Sequence, residues 1–69
     1  MRDSRKVIVF LEFLTNITTD DKEINRKVKN LIKKIKERGL TEDTKKEIKE
    51  IVTEVYGSNA DKVIKSLPI

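Results

Sequence analysis

The sequence predicts a small all-α bundle of three longer helices and a short C-terminal one. Three observations carry that reading. Apolar residues recur at helical spacing in three separate segments, and helix-starting and helix-stopping residues punctuate the chain at matching intervals. Lys and Glu, both strong helix formers, dominate its 41% of charged residues. At 69 residues it is expected to be one domain, residues 1–69, with helices at about 4–17, 20–38, 42–56 and 59–66.

The second segment is the clearest. Ile24, Val28, Leu31, Ile32 and Ile35 fall within an arc about 100° wide at 3.6 residues per turn. Thr18-Thr19-Asp20-Asp21 offers an N-cap threonine followed by carboxylates, which the helix dipole favours in the first turn. Gly39 supplies the stop. In the third segment Ile48, Ile51, Val52 and Val55 repeat the pattern between a capping Thr41 and a terminating Gly57. Ala60, Val63, Ile64 and Leu67 form the last and shortest stripe. Ser58-Asn59-Ala60-Asp61 reads as close to a capping box, and Pro68 prevents extension.

The first segment admits two readings. Val7-Ile8-Val9-Phe10 has the β-branched and aromatic bias of a strand. A strand followed by two helices would resemble a ribbon-helix-helix DNA-binding dimer, and Gly39-Leu40-Thr41 fits that family's turn between helices. Two features count against it. The face Lys6, Ile8, Phe10, Glu12, Leu14 does not alternate cleanly, and the next apolar residue of the third helix, Ile48, comes too late for the motif. As a helix the segment places Arg5, Glu12 and Asn16 in one narrow polar arc, with Phe13, Ile17, Phe10, Leu14, Val7, Leu11 and Ile8 spread round the remainder. The helical reading explains more. An apolar surface that wide belongs either to the buried middle of a monomer or to an interface. For so small a chain a homodimer is expected, with Ile8, Val9, Phe10 and Phe13 supplying the contact.

Chemistry is expected to be absent. The chain has no Cys and no His, which removes the usual ligands of zinc, copper, haem and iron–sulfur clusters, and with them a disulfide framework. Its two glycines are isolated helix stops, so no glycine-rich phosphate loop exists. Ser4, Ser58 and Ser66 have no histidine to activate them. Asp20-Asp21 and Glu42-Asp43 lie at helix starts, where they are accounted for as capping charges. Neither a cofactor, a metal, a small-molecule substrate nor enzymatic activity is expected. The apolar run Val7–Leu14 is too short to cross a bilayer, and no small-residue cleavage site follows it. A soluble, cytoplasmic protein is the expectation. The Lys- and Glu-rich composition is shared by hyperthermophile proteins and computed designs.

One pattern stands out. Residues 20–38 hold eight basic and four acidic residues, a net of +4 that equals the charge of the whole chain. Residues 1–19 carry +1, 39–57 carry −2 and 58–69 carry +1. Lys22, Arg26, Lys29, Lys33 and Lys36, spaced four, three, four and three, centre roughly opposite the apolar stripe of the same helix. They would extend over about 21 Å and could follow a phosphate backbone. No aromatic interleaves them to stack on bases, and Asn25 and Asn30 lie off to either side. Lysine is also favoured near a helix C-terminus, which accounts for Lys33, Lys34, Lys36 and Arg38 without a ligand. The third helix is net acidic, so it is a poor recognition helix for DNA and a better complement to the basic one. Two functions follow as expectations: a small basic module binding nucleic acid or an acidic protein surface, and a self-assembling or protein-binding helical module. A scaffold without a partner is the third reading.

Overall fold

Helix α1 spans Arg2–Ile17, α2 Lys22–Arg38, α3 Glu42–Tyr56 and α4 Ala60–Ser66, in a computed structural model that describes residues 2–69. Among those residues there is no strand, so the run Val7–Phe10 is helical and the ribbon-helix-helix alternative falls. The reason lies in the core. Val7, Leu11, Leu14 and Thr18, spaced at i, i+4, i+7 and i+11, are all buried on one face, a set that only a helical turn brings together.

The interior is built from that face of α1, Val28, Leu31 and Ile35 of α2, Ile48, Ile51 and Val52 of α3, and Ala60 of α4. Helix α2 lies against both α1 and α3, and α3 carries α4. The wide apolar segment is therefore not the sole centre of the molecule, because α2 and α3 each lie between two neighbours. Phe10 and Tyr56 close α1 onto the end of α3, their rings stacked with centroids 6.4 Å apart and planes at 22°. Tyr56 thus sits at the core rim, as its place beside Gly57 suggests.

The helix ends decide how the segments meet. Thr41 and Thr44 form a reciprocal capping box. The Thr44 amide donates to the Thr41 hydroxyl at 3.2 Å, and the Thr41 amide donates to the Thr44 hydroxyl at 2.8 Å. Gly39 ends α2 at φ 77°, and its amide donates to the Ile35 carbonyl. A side chain there would be strained.

Two caps differ from expectation. Thr18 does not start α2. It ends α1, because both its amide and its hydroxyl donate to the Leu14 carbonyl, at 3.0 and 2.7 Å. Asp21 is the N-cap of α2, accepting from the Ile24 amide at 3.1 Å, so the helix begins at Lys22 rather than at 20. Ser58 caps nothing either. Gly57–Asn59 is a single 3₁₀ turn that runs directly into α4 at Ala60 without a side-chain cap.

Candidate nucleic-acid interface

Four sides of α2 have four different environments. The core side holds Val28, Leu31 and Ile35. Toward α1, the Asn25 amide donates to the Thr15 carbonyl at 2.8 Å, and Ile32 packs beside the core. Toward α3, Lys27 lies 3.5 Å from Glu54 and Lys34 lies 3.0 Å from Glu47. The outward side is the stripe Lys22, Arg26, Lys29, Lys33 and Lys36, and all five are exposed.

The two ion pairs follow one register. From Lys27 to Lys34 is seven residues, and from Glu54 back to Glu47 is also seven. Antiparallel helices joined by the short connection at 39–41 bring such sets side by side in reverse order. Lys27 also reaches Glu23, one turn earlier on its own helix, at 3.7 Å. Each interhelical pair is about half-exposed and so contributes little to stability. Its importance here is positional. The carboxylates of α3 are drawn to Lys27 and Lys34 on the flank, and among the described side chains no acid oxygen lies within 4.0 Å of any stripe cation.

At 100° per residue the five stripe cations occupy an arc of roughly 80°, centred well over a quarter-turn from either ion-paired flank residue. Steps of three and four residues along a helix place successive cations about 4.5–6 Å apart along the axis. The result is a continuous positive ridge on a rigid element, with Asn30 and Glu37 exposed at its α3-side edge. Asn25, the other amide near the stripe, has its donor group engaged by α1.

Between α2 and α3 runs a shallow groove of about 240 Å³, floored by Leu31 and Ile51 and walled by the ion-paired side chains. Among the described residues no three carboxylates lie together in a way that would hold a metal ion. No helix among them is long and apolar enough to cross a membrane.

The four apolar residues assigned to an interface divide. Ile8 and Phe10 are half-buried and pack against the core. Val9 and Phe13 are 60% and 52% exposed, and Ile17, which sequence reasoning did not single out, is 49% exposed. Their spacing of four was the available signal, since it puts Val9, Phe13 and Ile17 on one line away from Val7, Leu11 and Leu14.

No family model, curated protein or solved structure matches this chain.

Proposed function

We propose that this chain is a non-enzymatic binding module that receives a nucleic-acid phosphate backbone along the exposed face of α2. One observation carries the reading: the acids of α3 pair with the flank cations Lys27 and Lys34, while Lys22, Arg26, Lys29, Lys33 and Lys36 stay exposed with no described acid beside them. Cations without internal partners keep their full charge available for displacing counterions from a polyanion. The net charge of +4 resides in this segment of the chain, which concentrates the field on one side.

Binding of this kind reads charge rather than sequence. Four of the five contacts are lysines, compact point charges suited to phosphate, and neither aromatic stacking nor a free amide pair is present to read bases. The experiment is fluorescence anisotropy with labelled duplex and single-stranded oligonucleotides of unrelated sequence over a salt series. Binding should be similar across sequences and weaken steeply with salt. Lys29→Glu with Lys33→Glu should abolish it while circular dichroism stays unchanged. No retention on nucleic acid at low salt would reject the proposal, and equal retention by the double variant would move the site elsewhere. Equal affinity for polyglutamate would assign the ridge to an acidic protein surface instead.

A further inference from the structure

The basic ridge leaves one surface unused. Val9, Phe13 and Ile17 form a half-exposed apolar line on the side of α1 turned away from its buried face. From this line we infer that a second copy of the chain covers it, with the two α1 helices antiparallel about a two-fold axis at Phe13. This inference is independent of the nucleic-acid reading.

The charges around the line select that partner and that orientation. Lys6 precedes the line by three residues and shares its side of the helix, while Asp20 follows it by three, in the turn after α1. Both are exposed, and neither has an ion-pair partner among the described residues. With Phe13 on the axis, an antiparallel copy sets Val9 against Ile17 and brings Lys6 toward Asp20 in the turn after the other copy's α1, each twice because the contact is isologous. A parallel copy would instead place Lys6 beside Lys6 and Asp20 beside Asp20. The line is self-complementary in one direction only.

Its size sets the strength. Three half-exposed side chains offer roughly 300 Å² of apolar surface per protomer, well below the ~800 Å² per partner of a standard stable interface. The pair should therefore be reversible, forming in the micromolar range or above.

Sedimentation equilibrium over a concentration series should show the mass rising toward twice that of the monomer, and Phe13→Lys should hold it at the monomer value with helicity intact. A wild-type chain that stays monomeric at millimolar concentration overturns the inference. Because the chain has no cysteine, single-cysteine variants report the register directly. Phe13→Cys should oxidise rapidly to a cross-linked dimer, and Val9→Cys should cross-link with Ile17→Cys in a mixture but slowly with itself. Self-linking of Val9→Cys as fast as that of Phe13→Cys would overturn the antiparallel arrangement. Lys6→Glu and Asp20→Lys should each weaken association by roughly two- to five-fold. The double variant should recover it; a double variant weaker than either single one would refute the proposed pairing.

Discussion

Lys34 Nζ lies 3.0 Å from Glu47 Oε1, whereas Lys33, the residue before it in the same helix, faces solvent with no described acid within reach. A rotation of 100° about α2 separates a cation tied to α3 from one that is available. The difference is measurable as a salt slope. Neutralising five phosphates of a duplex gives a slope of about −4.5 in log K against log salt. Replacing any one stripe residue, for example Lys33→Gln, should reduce the slope by about one. Lys34→Gln should change it less, because Lys34 lies on the flank beside Glu47 and not on the ridge. A Lys34 variant with the larger effect would mean that α3 releases its partner on binding and that the ridge is wider than the free structure displays.

Asn25 is where α1 and α2 are joined by a specific polar contact. The last carbonyls of a helix have no intrahelical partner, and the Asn25 amide meets that of Thr15 at 2.8 Å, with a longer contact of 3.4 Å to the Thr18 hydroxyl. Asn25→Ala should destabilise the fold by about 1 kcal/mol. Asn25→Asp should cost more, since a carboxylate cannot donate and would face a carbonyl oxygen. Urea unfolding at unchanged m-value checks both. Neither change should alter preference among oligonucleotide sequences, because Asn25 serves the helix corner and not a base edge.

Much of this fold can be read from the chain, and the exceptions have physical causes. The stripes of α2 and α3 determine their own helices, since Val28, Leu31, Ile35 and Ile48, Ile51, Val52 are buried as their spacing requires. The first segment was ambiguous because β-branched Val7, Ile8 and Val9 suit a strand locally. Burial of Val7 together with Leu11 and Leu14 outweighs that preference. Cap positions are not fixed by the chain where several residues of the same chemistry adjoin. Thr18, Thr19, Asp20 and Asp21 can all cap a helix, and only the path of the chain decides that Thr18 closes α1 while Asp21 opens α2. The stripe itself was legible in the sequence. The sorting of Lys27 and Lys34 away from it was not, because that depends on the register between two helices, although the shared spacing of seven in Lys27–Lys34 and Glu47–Glu54 was available as a signal.

Phe10 tests how far the apolar excess of α1 serves the fold rather than a partner. It belongs to the same run as the exposed Val9 and Phe13, yet its ring stacks on Tyr56 at 6.4 Å and is the aromatic contact between α1 and the end of α3. Stacked pairs of this kind are worth about 0.5–1.5 kcal/mol beyond the area they bury. Single changes cannot isolate that quantity, since Phe10→Leu and Tyr56→Leu each also remove buried surface. A double-mutant cycle cancels those losses and leaves the coupling. The expected coupling is within that range, measured from urea midpoints of the two single variants, the double variant and the wild type. The same variants should keep the concentration dependence of the sedimenting mass if Val9, Phe13 and Ile17 alone form the contact between copies. A coupling near zero, together with loss of association in Phe10→Leu, would place Phe10 in the contact between chains and not within one.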